Sequence, residues 1–178
     1  MIEVVLAENR AVVWDREKGN ELFEELYLGK PREDRLELAL IEAAYLLDIG
    51  KVTMVDKTGK EVGKEEMFQY CNQKDPRFSF RYAVYKDLRN KELPTRTGFK
   101  FGCDFRVYNK GVKPLKRGPK SAGEHTKWIV FAVPENYVFS FPELSRAVRL
   151  AHNIRANMLW AVVYKDSVGY YAVKFFKP

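Results

Sequence analysis

Residues 128–164 read as strand, capped helix, strand, and that order restricts the fold more than any other stretch of the chain. Trp128–Val133 is a run of β-branched, aromatic and small apolar residues. Ser140-Phe-Pro-Glu143 then carries the signals of a helix start. A hydroxyl is placed to cap, proline falls in the first turn, and glutamate takes the third helical position of a capping box. The pattern predicts a helix from there to about Asn157. Leu159–Tyr164 and Tyr170–Phe176 follow as a closing strand pair around Asp166-Ser-Val-Gly169. Upstream, Thr95–Phe101 and Phe105–Tyr108 read as strands around Gly98 and Gly102. Mixed strands around one helix define an α/β class of the mixed α+β kind.

The first half has a different rhythm. Ile2 to Trp14 suits a short hairpin, and Asn20–Leu28 has helical apolar spacing that stops at Gly29. From Glu33 to Asp48, Leu36, Ala39, Leu40, Ala43, Ala44 and Leu47 recur at i, i+3, i+4 intervals, which predicts one amphipathic helix. A hairpin from Val52–Val55 to Glu61–Val62 turns at Asp56–Gly59. Two helices follow, Glu65–Gln73 and Phe78–Asn90, interrupted by Asp75-Pro76. These segments form a small N-terminal αβ support domain over 1–88, ahead of a mixed-sheet domain over 89–178. At 178 residues the chain is long enough to bury a core in each.

Charge separates the same halves. Residues 1–90 hold 15 basic and 18 acidic side chains, whereas 91–178 hold 16 and 6, so −3 is followed by +10. An acidic scaffold ahead of a basic half suggests polyanion binding. The basic excess includes the loop Asn109–Glu124, which has three glycines, two prolines and five basic residues. Two cysteines, Cys71 and Cys103, make neither a disulfide framework nor a four-ligand zinc site, which points to a reducing cytoplasm. No apolar run is long enough for a bilayer and no charged-then-apolar segment opens the chain, so no membrane partner is expected.

Candidate chemistry is limited by the two histidines, His125 and His152. His152 falls within the helix and reads as a packing or surface residue. His125 ends the basic loop directly before a strand, where rigid elements commonly present functional groups. No second histidine lies at ligand spacing and acidic residues are thin in the basic half, so no metal site is expected. One well-placed histidine on a basic, aromatic-rich surface fits metal-free RNA cleavage. The 2′-hydroxyl is then the nucleophile, and the protein moves protons and stabilises phosphorane charge.

Three ordered motifs sharpen this reading. Gly98-Phe-Lys-Phe-Gly-Cys-Asp-Phe-Arg-Val-Tyr108, His125-Thr-Lys-Trp and Ser145-Arg-Ala-Val-Arg-Leu-Ala-His-Asn-Ile-Arg155 resemble the catalytic domain of archaeal tRNA-splicing endonucleases. The resemblance spans roughly residues 90–178, and the N-terminal half is similar to that family's smaller domain. It implies a nuclease fold of the tRNA-intron endonuclease type, acting without cofactor or metal on precursor tRNA with a bulge–helix–bulge motif. It also implies a tyrosine that deprotonates the 2′-hydroxyl, at Tyr108, and a histidine that protonates the leaving 5′-oxygen, at His125. The products implied are a 2′,3′-cyclic phosphate and a 5′-hydroxyl. Arg149 matches an arginine that holds a bulged base, with Lys174 or Lys177 as a second basic partner. Two cuts imply two active sites, hence a homodimer, a homotetramer or a two-plus-two heterotetramer with a second subunit. Tyr170–Phe176 is the candidate pairing edge, and Asp166 the candidate acidic docking residue.

The chain departs from the family pattern twice. The family's helix leads directly into a lysine that stabilises transition-state charge, and Ala156 occupies that position. An engineered exchange, a naturally non-catalytic subunit, and replacement of the lysine by Arg155, Lys127 or Lys165 are the three readings of this. The gap from Tyr108 to His125 is also long, at 17 positions. It resembles a lysine-bearing insertion in family members with broader substrate range. Within it Lys113, Lys116, Arg117 and Lys120 are expected to neutralise RNA phosphates flanking the cut.

Overall fold

The computed structural model describes residues 1–98, 102–114 and 118–178. Packing divides the chain into Met1–Tyr82 and Ala83–Pro178. This division and the one expected after Leu88 both fall within the helix Phe78–Asn90.

The first unit is built on a five-stranded mixed sheet. β1 (Ile2–Leu6) and β2 (Ala11–Val13) form the expected hairpin, with Val5 opposite Val12. α1 (Arg16–Leu26) starts earlier than the apolar spacing suggested. The Asp15 carboxylate accepts the Lys18 amide at 3.1 Å and so caps the helix, which ends at Tyr27 in a left-handed conformation. After β3 (Lys30–Pro31) comes a correction: the single helix expected over Glu33–Asp48 is a strand followed by a helix. β4 (Leu36–Leu38) pairs with β2, and α2 is confined to Leu40–Asp48. Pairing with β2 buries all three residues of β4, and that burial outweighs their helical spacing. Glu42 then starts the helix by accepting the Ala39 amide at 2.9 Å. β5 (Val52–Val55) runs parallel to β1 and completes the sheet order β3-β4-β2-β1-β5. α3 (Lys64–Lys74) stacks its Phe68 ring edge-on against Phe78 and Tyr82 of α4 (Phe78–Asn90).

The second unit holds the other five-stranded mixed sheet, in the order β10-β9-β8-β7-β6. Its strands are β6 (Thr95–Thr97), β7 (Phe105–Val107), β8 (Trp128–Pro134), β9 (Asn157–Val163) and β10 (Val168–Val173). α5 (Phe141–Asn153) connects β8 to its parallel neighbour β9. Strand alternation gives the sheet two faces. Ile129, Val133, Met158 and Trp160 pack beneath Ala147 and Ala151 of α5. The opposite face carries Phe105, whose ring lies 5.5 Å from that of Tyr85 in α4. On the same face Tyr170 donates its hydroxyl to Asp87, also in α4, at 2.6 Å.

Three expectations need adjusting here. β10 stops at Val173, opposite Met158, and does not reach Phe176. The extension of β6 to Phe101 lies outside the described residues. Most consequentially, α5 ends at Asn153 and does not reach Asn157. Its last turn closes through Arg155 N–H to His152 O at 3.0 Å and Ala156 N–H to Ala151 O at 2.9 Å. These are the two bonds of a Schellman motif, with Arg155 in the left-handed position at φ 56°. Ala156 therefore lies on the turn into β9, not on the helix. Among the described residues, no helix is long and apolar enough to cross a membrane.

Candidate active site

The local chain fixes where Tyr108 stands. Gly98 lies so close to Cys103 that a Cβ there would sit 2.4 Å from the Cys103 sulfur and 2.7 Å from its carbonyl oxygen. Only glycine fits this approach. Asp104, 6% exposed, accepts the Ala132 amide at 2.8 Å through its carboxylate, and its own amide donates to Val130 O at 3.0 Å. These bonds hold β7 to β8. The amide of Tyr108 donates to Pro94 O at 3.0 Å, at the end of β7, and the residue is 3% exposed.

His125 is placed by a different device. Ser121 N–H donates to the Glu124 carboxylate at 2.7 Å, closing a short 3₁₀ turn over Ala122–Glu124. His125 follows it in extended backbone, exposed, three residues before β8. In the preceding loop, the Lys120 ammonium donates to Pro114 O at 3.0 Å, and Lys110 pairs with Glu92. Lys113 is exposed. Lys116 and Arg117 lie outside the described residues.

Strand register brings these positions to one end of the sheet. Val107 pairs with Trp128, and Trp128 pairs with Asn157. Backbone bonds lock that row: Lys127 N–H to Val107 O at 2.9 Å, and Asn157 N–H to Lys127 O at 2.9 Å. β7 runs antiparallel to β8 and β8 parallel to β9. The C-terminal end of β7 therefore meets the N-terminal ends of β8 and β9. Tyr108 and Ala156 adjoin that row, about two strand spacings, ~10 Å, apart along the sheet, and His125 lies two residues ahead of Lys127 on the way into β8. β10 is antiparallel to β9, so Lys174 leaves the sheet at the same end. Asp166, in the β9–β10 turn, is at the opposite end. Arg149 is exposed on α5, one turn before the helix end.

Residue-by-residue reading of the sequence missed what surrounds Ala156. A cavity of about 170 Å³ opens there, lined by His152, Asn157 and Lys174 with the apolar Val148, Met158 and Val173 among its walls. His152, which the sequence marks as a packing or surface residue, is exposed. Its position four residues before Ala156, across a helix end, was the one available signal.

The sheet end thus combines an aromatic hydroxyl, an exposed imidazole and a basic loop, in a unit that pairs a mixed sheet with one crossover helix. The catalytic C-terminal domain of the tRNA intron endonucleases matches this chain over residues 78–171, and the N-terminal domain of the same family over 2–68. A tRNA-splicing endonuclease of Thermococcus onnurineus is 40% identical over 99% of this chain and 97% of its own length. One from Nanoarchaeum equitans is 41% identical over 82% of this chain and 92% of its own length. One from Methanococcoides burtonii is 35% identical over 94% of this chain, which spans 46% of that longer protein. The chain belongs to the tRNA intron endonuclease family.

Proposed function

We propose that this chain is a subunit of a tRNA-splicing endonuclease that cuts precursor tRNA at bulge–helix–bulge intron boundaries. The observation that supports this is the strand register that sets Tyr108 and Ala156 beside one row at the sheet end where the chain from His125 enters β8. Tyr108 takes the proton from the 2′-hydroxyl as its oxygen attacks phosphorus. His125 gives a proton to the departing 5′-oxygen. Phosphorus keeps its charge in a 2′,3′-cyclic phosphate, and the other fragment leaves with a 5′-hydroxyl. Neither step uses a metal. Lys113, with Lys116, Arg117 and Lys120, neutralises flanking phosphates, and Arg149 stacks on an unpaired base. Two bulges require two such sites, so the working form is a homodimer, a homotetramer or a two-plus-two heterotetramer.

Ala156 sets the expected rate. Losing one preorganised charge from the transition state costs about 3–4 kcal/mol, roughly 10²–10³ in rate. The chain should cut a bulge–helix–bulge RNA slowly in the presence of a chelator, and Tyr108→Phe and His125→Ala should each abolish that cleavage. Ala156→Lys should accelerate it.

A second reading has its own support. Ala156 packs against the cluster containing Ala151, the contact expected of an apolar residue after a Schellman turn, so alanine suits this site structurally. A non-catalytic subunit would remain inactive with lysine at 156 and would gain activity only from a second protein.

A further inference from the structure

We propose that the first unit carries a binding face for single-stranded RNA, in which Trp14 stacks on a base while Arg10, Arg32 and Lys30 hold the adjoining phosphates. None of these residues belongs to the proposed cleavage site, and the inference rests on the function proposed above only in taking RNA as the ligand. The face follows from strand alternation. Leu36 of β4 and Val13 of β2 pack against α1, where a Cβ on Gly19 would come within 3.2 Å of the Leu36 Cβ. Glu37 therefore points to the other side, with Val12 and Lys30 as its direct neighbours on β2 and β3. Three arginines gather on its carboxylate: Arg10 at 2.9 Å and Arg32 at 3.1 Å on one oxygen, and Arg35 at 3.0 Å on the other. Arg35 also lies over the Trp14 ring, 5.5 Å from its centroid, which brings the indole to the same group.

Structural need alone does not account for this arrangement. One guanidinium neutralises a buried carboxylate, yet three converge on Glu37. With Lys30 they make four cations. Against them stand Glu37, Asp34 paired to Arg35 at 3.0 Å, and Glu3, which alternation puts on the same face of β1. The local balance is positive within residues 1–90, whose 15 basic and 18 acidic side chains sum to −3. Each guanidinium has five N–H donors, and these ion pairs engage one of Arg10, one of Arg32 and two of Arg35. The rest are left for a ligand rich in acceptor oxygens. Two guanidiniums that meet at one oxygen are close enough for a single phosphate to bridge them. Glu37, 9% exposed, fixes their positions before a ligand arrives, so binding costs little side-chain entropy. Trp14 is 55% exposed, and an indole beside a guanidinium stacks on any base. An acidic peptide would match the arginines but leave the ring unused. The combination selects a nucleic acid strand with unpaired bases.

Two measurements on the intact chain test this. In the first, the chain is labelled with 5-fluorotryptophan and titrated with single-stranded oligoadenylate. The Trp14 fluorine signal, assigned through Trp14→Phe, is followed by NMR. A saturable shift whose affinity falls roughly threefold or more in Arg10→Ala and in Lys30→Ala, and not in Lys51→Ala, supports the face. Arg10→Ala leaves Arg32 and Arg35 on Glu37, and Lys30→Ala breaks no pair with it, so the buried carboxylate stays neutralised in both. A Trp14 signal that does not move, or moves equally in both variants, overturns the proposal. Oligoglutamate that shifts it as tightly as the RNA also overturns it, and makes the face a dock for an acidic protein instead. In the second, binding of precursor tRNA and its single-turnover cleavage are measured side by side. Trp14→Ala should weaken binding roughly tenfold and leave the first-order rate at saturating protein unchanged. Unchanged affinity, or a loss confined to that rate, overturns the proposal. If the Trp14 signal responds to RNA but no precursor is cut, the face stands and the endonuclease reading falls. Cleavage with an affinity indifferent to Trp14 gives the reverse.

Discussion

At Gly98 the backbone approaches Cys103 so closely that the atoms met by an added Cβ include a carbonyl oxygen, which cannot rotate away. Gly98→Ala should therefore destabilise the protein by about 1–3 kcal/mol, measured by chemical denaturation. It should also slow cleavage, because the hairpin it distorts leads to Tyr108. Arg155 is the opposite case. It holds a left-handed conformation at φ 56° that costs an L-residue about 1–2 kcal/mol. Arg155→Gly relieves that strain and gives back part of the gain to unfolded-state entropy. A net stabilisation of up to about 1 kcal/mol is expected, and a loss of stability would show that the Arg155 side chain makes a compensating interaction.

At the level of elements, α5 shows which sequence signals survive folding. Ser140 caps the helix by accepting the Glu143 amide at 3.3 Å. The reciprocal half of the expected capping box is replaced, since the Glu143 carboxylate accepts the Tyr137 hydroxyl. That bond keeps the β8–α5 connection, with Phe139 stacked on Trp160, against the sheet. Ser140→Ala should cost about 1 kcal/mol, read from the shift in denaturation midpoint. β4 offers a test by pH. Burial pushes the Glu37 carboxyl up, but hydrogen bonds from Arg32 and Arg35 and the charge of Arg10 outweigh it and hold it below its ordinary 4.5. A carboxyl lowered in the folded state adds stability above its unfolded pKa, and the gain is lost as pH falls through the folded value. Between pH 5 and 3 the melting temperature of Glu37→Gln should fall less steeply than that of the parent protein.

Across the whole molecule, both cysteines are buried and unpaired. Burial, reinforced by Asp75, pushes the Cys71 thiol from 9.0 to about 12; burial and Asp104 push Cys103 to about 11. Groups whose folded pKa is raised contribute stability below the unfolded value, and that contribution is lost as pH rises through the folded one. Thermal stability should thus hold to about pH 9 and then decline toward pH 11–12, with native thiols unreactive to alkylation at neutral pH. The charge split acts on the same scale. RNA affinity should fall steeply with salt, and alanine at Lys113, Lys116, Arg117 and Lys120 together should flatten that slope by ~0.7–0.9 for each phosphate contact removed. An unchanged slope would remove the loop from the interface.

Much of this was legible in the chain before any coordinates. Ser140 and Pro142 announced a helix start, runs of β-branched, aromatic and small apolar residues announced β8 and β9, and the motifs around Tyr108 and His125 pointed to RNA cleavage. Such signals are readable because each depends on a few neighbouring residues. The helical reading from Glu33 failed over Leu36–Leu38 because pairing with β2, more than twenty residues away, decides that segment. The end of α5 failed because nothing in Ile154-Arg155-Ala156 marks a left-handed turn where glycine is absent. The sequence alone determined which residue types are available for the chemistry. Tertiary pairing of β7 with β8, and β8 with β9, decided that Tyr108 and Ala156 flank one row of the sheet. It also decided that Ala156 opens onto His152 and Lys174, because register between distant strands is set by packing, not by the local chain.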